Sequence, residues 1–163
     1  MSTTFDFPAT APGSSGRRTR SKPTTNRMEP VSPPSAAVLA LLEEAEHGLA
    51  AAECEPDPAQ RFTQAYLSAL RAAAAVLAMR GRPHRGNFQP ASVWSLLSGM
   101  VPELREWAAF FASESAVRAK VQAGITRVVT ARTADDLVRQ TGQFIGLVGR
   151  VCRRDRRRDG RRT

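Results

Sequence analysis

The sequence predicts an all-α fold: an up-and-down bundle of four to five helices with a disordered N-terminal end and a basic C-terminal end. Three observations carry that expectation. Between residues 33 and 152, apolar residues recur mostly at three- and four-residue steps, the period of one helix face. Ser, Asp and Thr, helped by Pro, stand where helices start, and Gly stands where they stop. Charge is segregated as well: residues 1–32 carry a net +3, residues 33–149 balance eleven basic against eleven acidic side chains, and residues 150–163 carry +6. The division that follows is a Ser/Thr/Pro/Arg-rich tail at 1–32, a helical bundle at 33–152 and an Arg-rich tail at 153–163.

The strongest helix lies between Asp57 and Gly81. Asp57 suits the N-cap, Pro58 the first helical position, and Gln60 the place from which a capping-box partner reaches back. Gly81 can close the helix in a left-handed conformation, and Pro83 blocks continuation. Phe62, Tyr66, Ala69, Ala73, Val76 and Met79 or Arg80 share one face, while Arg61, Gln64, Ser68 and Arg71 fall off it. The alanines of this helix allow neighbours to come close, so it reads as the central rod.

Before it, a first helix starts near Ser32 or Ser35 with Pro33 in its opening turn. It carries the stripe Val38, Leu42, Ala45, Leu49, Ala52 and sets Glu43, Glu44 and Glu46 on the opposite side. It ends before Glu55-Pro56, and the short linker makes the two helices antiparallel. After Gly81 comes the loop RPHRGNFQP. The stripe Trp94, Leu97, Val101, Leu104, Ala108, Phe111 follows, interrupted at Pro102, where the helix must kink or split. Its aromatics read as core. Ser113 or Ser115 is expected to start a fourth helix that Gly124 closes, and Ile125–Ala131 reads as a helical turn or irregular connection. Thr133, with Asp136 as partner, is expected to cap the last helix, whose stripe is Leu137, Thr141, Phe144, Val148, Val151. Gly142, Gly146 and Gly149 leave a smooth face there, which suggests close packing of another helix and a homodimer.

Several function classes find no support. No apolar run approaches the roughly 20 residues of a membrane helix, and the N-terminus shows no apolar segment of a secretory signal, so the expectation is a cytoplasmic protein with no membrane partner. Cys54 and Cys152 are too few for a disulfide framework. His47, Cys54, His84 and Cys152 show no metal-ligand spacing, and phosphate-loop, dinucleotide and nucleophile-elbow motifs are missing, so no metal and no cofactor is expected.

Two basic features remain. Arg80, Arg82, His84 and Arg85 cluster where the rod ends, and Arg153, Arg154, Arg156, Arg157 and Arg158 run through the C-terminal end. Arginine clusters of this kind suit electrostatic contact with RNA, DNA or an acidic protein. The plainer reading of each is a solvated loop and a solubilising tail. His84 is the one acid–base candidate among them.

The segments RFTQAYLSALRAAAAVLAMRGRP, VWSLLSGMVPELREWAAFFA and TARTADDLVRQTGQFIGLV, in that order, resemble the HEPN superfamily, in particular a small actinobacterial branch of it. The resemblance spans roughly Pro34 to Cys152. It implies a bundle of four or five helices, often dimeric, in proteins that act on or bind nucleic acids. Many members of the wider superfamily are metal-independent ribonucleases marked by an Arg and a nearby His at the final core helix. Here the last helix has no His, and Arg80 and His84, with three residues between them, lie in a different segment, so no catalytic residue is carried over. The expectation is therefore a non-catalytic domain that binds nucleic acid or a protein partner. Its alternatives are a divergent ribonuclease using Arg80, Arg82 and His84, and a dimeric scaffold with solubilising tails.

Overall fold

The computed structural model describes residues 36–81, 90–159 and 161. Among them are five α-helices: α1 (Ala36–Cys54), α2 (Pro58–Met79), α3 (Pro90–Met100), α4 (Arg105–Gln122) and α5 (Ala131–Asp159). Two 3-10 turns, Pro102–Leu104 and Thr126–Val128, precede α4 and α5, and the described residues contain no strand. The expected cap at Ser32 or Ser35, the tail at 1–32 and most of the loop after Gly81 lie outside the described residues.

The direction of each helix follows from a few contacts. Arg61 pairs with Asp135, the Thr141 hydroxyl donates to the Ala65 carbonyl (3.3 Å), and Arg80 pairs with Asp155. Both partners advance together, so α2 and α5 run parallel. Glu103 meets Arg80 and Ser115 meets Tyr66, so α4 runs against α2. The three residues between Cys54 and Pro58 turn α1 back along α2. The four long helices thus alternate up and down, with α3 as a short addition. α2 packs against α1, α3, α4 and α5 and is the rod around which the rest is built. It alone among the described helices is long and apolar enough to cross a membrane, and here that apolar surface is covered by its neighbours.

Local chemistry explains the boundaries. The Asp57 carboxylate accepts from the Gln60 amide at 2.9 Å, as the sequence predicts. Gln60 does not reach back; the Glu55 carboxylate accepts from the Asp57 amide instead (3.0 Å). Gly81 and Gly124 both adopt φ +86°, the left-handed turn that ends α2 and α4. Pro102 splits the third stripe into α3 and α4.

Three expectations are corrected. No helix starts at Ser113 or Ser115, because α4 runs unbroken from Arg105 to Gln122. Those hydroxyls bond back to the Phe110 and Phe111 carbonyls (2.6 and 3.2 Å), so they sit inside the helix without interrupting it. The cap of α5 is Thr130, not Thr133. Each threonine hydroxyl accepts from the other's amide, Thr130 N to Thr133 at 2.9 Å and Thr133 N to Thr130 at 3.1 Å. Ser68, expected off the buried face, is fully buried and donates to the Gln64 carbonyl at 3.0 Å.

Core packing differs from side to side. Ala45 and Ala52 of α1 and Ala65, Ala69, Ala72 and Ala73 of α2 are fully buried. On the other side Phe111 stacks on Trp94 (centroids 5.0 Å apart) and also meets Tyr66, Trp107, Phe110 and Phe144. A buried polar chain threads this cluster: Trp94 Nε1 donates to the Tyr66 hydroxyl (2.7 Å), which lies 2.7 Å from the Ser115 hydroxyl. Ser115 gives its own proton to the Phe111 carbonyl, so Tyr66 is the donor to Ser115.

Candidate nucleic-acid interface

The last three turns of α5 carry the charge. The core stripe of this helix ends at Val151 and Cys152, both buried, and no apolar residue follows. The helix continues into the Arg-rich segment expected from residue 153 and ends at Asp159. Arg153, Arg154, Arg156, Arg157 and Arg158 therefore occupy fixed positions on a helix, and all are exposed. Arg150, which belongs to the basic end but not to the contact residues expected from the sequence, is exposed on the same helix one turn before Arg154. Positive side chains at a helix C-terminus also complement the partial negative charge of the free carbonyls.

The two basic features, separate in sequence, meet in the fold. Arg80, at the C-cap of α2, lies against α5 and lines a cleft of about 360 Å³ with Arg154 and Arg158. Val151 forms the apolar part of its wall, and Glu103 and Asp155 add two carboxylates. Arg80 Nε donates to Asp155 (2.7 Å), and Nη2 donates to Glu103 (3.0 Å). No local pattern announces either carboxylate, since Asp155 is far from Arg80 in sequence. Arg153 and Arg156 face another way and line a groove between α5 and α1, beside Leu39 and Glu46. Arg82, His84 and Arg85 lie outside the described residues.

Cys152 is buried behind the arginines. Burial pushes its thiol above the ordinary range and the Asp155 carboxylate adds to that, while Arg153, Arg80 and Arg156 pull it back. Cys54 is exposed at the end of α1. Among the described residues no group of three or more His, Cys, Asp or Glu side chains could hold a metal ion. A second cleft, of about 320 Å³, lies between α4 and α5. There burial raises the Glu114 carboxyl above its ordinary value, opposite Asp136 and Arg139.

A family model described as SAV_6107-like HEPN matches residues 51–149. The chain belongs to the SAV_6107-like HEPN family. The HEPN match takes in the end of α1, the whole of α2, α3 and α4, and α5 as far as the residue before Arg150. The arginine-bearing turns of α5 follow immediately on that matched region. No curated protein and no solved structure matches the chain.

Proposed function

We propose that this HEPN-family chain is a non-catalytic module that binds nucleic acid through the phosphate backbone, with the end of α5 as the contacting element. The observation that carries the reading is the display of Arg150, Arg153, Arg154, Arg156, Arg157 and Arg158, all exposed, on one continuous helix. Residues 33–149 are neutral overall, so the attraction is local to this end rather than spread over the bundle. Guanidinium groups present a planar fork that matches phosphate oxygens. Residues 150–163 contain no aromatic side chain on which a base could stack, which favours backbone contact with little sequence preference.

The experiment is a salt titration of binding to a labelled single-stranded RNA, followed by fluorescence anisotropy. If about five arginines each neutralise one phosphate, the slope of log affinity against log salt is roughly −3 to −4. Deleting residues 153–163, which removes seven arginines and two aspartates, weakens binding and flattens the slope. An unchanged slope after deletion moves any binding to the remaining domain, and absence of binding at low salt ends the reading. The same protein leaves the RNA intact with or without divalent metal. Cleavage that disappears in His84→Ala, with the fold intact by circular dichroism, replaces this reading with the ribonuclease one.

A further inference from the structure

We propose that Arg80 is a positioning residue that clamps the arginine-bearing end of α5 onto the bundle, and is not itself a phosphate contact. The inference rests on the nucleic-acid reading for its functional consequence, but its structural part stands alone.

The segment 153–158 has the sequence RRDRRR and contributes no buried side chain to the core. Arginines at four-residue spacing, Arg150 with Arg154, Arg153 with Arg157 and Arg154 with Arg158, repel one another along the helix. A helical end without an apolar face is marginal unless tertiary contacts hold it. Among the described residues, the Asp155–Arg80 pair is the one ion pair that joins this segment to another helix. The Arg80 side chain is 30% exposed and that of Asp155 23%, so the pair is shielded more than an open surface pair. Arg80 also holds Glu103, beside the start of α4, so one guanidinium joins the end of α2, the approach to α4 and the end of α5. Its Nε and Nη2 groups are thereby committed to carboxylates rather than left for a ligand.

Two variants break the clamp while changing charge in opposite directions. Arg80→Gln removes a positive charge, and Asp155→Asn removes a negative one. Buried Cys152, three residues before Asp155, is the reporter and exposed Cys54 is the internal control. Thiol labelling of the full chain with N-ethylmaleimide is followed by mass spectrometry, alongside hydrogen exchange over residues 151–159. Both variants should label Cys152 about fivefold faster or more, since loss of the pair raises the population of the opened end, while Cys54 is unchanged.

Single-stranded RNA is the second arm. Asp155→Asn should bind it more weakly than wild type despite its more positive chain, because the arginines lose their fixed arrangement. Cys152 protection kept in either variant, or tighter RNA binding by Asp155→Asn, overturns the proposal. If the wild-type chain binds no RNA, the nucleic-acid reading falls and the labelling arm still decides whether Arg80 is the clamp.

Discussion

The two sides of α2 solve the packing problem in opposite ways. Toward α1 and α5 the rod presents alanines, and the backbones come together: Thr141 of α5 reaches the Ala65 carbonyl, and a Cβ placed on Gly48 of α1 would lie 2.5 Å from the Ser68 hydroxyl. Toward α3 and α4 the space is filled by rings, with Phe111 touching aromatic side chains from α2, α3, α4 and α5. A small side chain sets a short distance between helices; a large one bridges a wide gap. The alanine side therefore fails by overfilling, and the aromatic side by emptying.

The sharpest way to test that contrast is Phe144→Ala. Its ring joins α5 to Trp94, Trp107 and Phe111 and is fully buried, so truncation should cost on the order of 3–5 kcal/mol in urea denaturation. A loss under about 1 kcal/mol would show that the gap can close without the ring, contrary to a rigid aromatic filling.

The alanine side should respond to enlargement. Ala65→Leu would wedge α5 away from α2 at the Thr141 contact, and a destabilisation of roughly 1–3 kcal/mol is expected. A neutral result would mean that α5 has room to retreat.

Gly48 gives a smaller but more specific test, because two effects of opposite sign compete. Alanine gains about 1 kcal/mol over glycine within a helix, yet here its methyl would collide with the Ser68 hydroxyl. Gly48→Ala should therefore destabilise the wild-type chain and stabilise Ser68→Ala, where the nearest Ser68 atom left is Cβ at 3.7 Å and the remaining close neighbour, Arg71 Nη1 at 3.1 Å, is the end of a long side chain that can shift. Equal effects in the two backgrounds would remove the close approach as the reason for the glycine.

The smallest effect is expected in the cleft between α4 and α5. Burial raises the Glu114 carboxyl in the folded state, so folding favours its protonated form. Stability from this group is present below the unfolded carboxyl range and is lost as pH rises through the raised folded value. Glu114→Gln should then melt slightly higher than wild type at neutral pH, and the difference should vanish in acid, where both side chains are uncharged. A constant difference across pH would point to packing rather than charge.

Much of the bundle is legible in the sequence because the helix faces are regular. Val38, Ala45 and Ala52, then Trp94, Leu97, Val101, Leu104, Ala108 and Phe111, then Leu137, Thr141, Phe144, Val148 and Val151 are all buried as their spacing predicts. Serine and threonine positions are less legible. Ser113, Ser115 and Ser68 look like starts or surface, but each hydroxyl bonds to a carbonyl of its own helix, an option that leaves no trace in periodicity. The same ambiguity displaces the cap of α5 from Thr133 to Thr130. At the candidate site the arginines are plain to read, but their arrangement is not. Asp155 looks like a break in a charged tail until α5 carries it to Arg80, and Glu103 reaches the same group from the other side.

The aromatic cluster has an optical consequence. The chain contains two tryptophans and one tyrosine, and Trp94, Trp107 and Tyr66 all belong to that cluster. Nearly all of the near-ultraviolet absorption and emission of the protein therefore comes from one spot, where α2, α3 and α4 meet α5 through Phe144. α1 carries no aromatic residue, so its detachment would change the far-ultraviolet signal far more directly than the near-ultraviolet one. Anything that tilts α5 shifts Phe144 against both indoles, giving an unlabelled spectroscopic gauge of how that helix is seated.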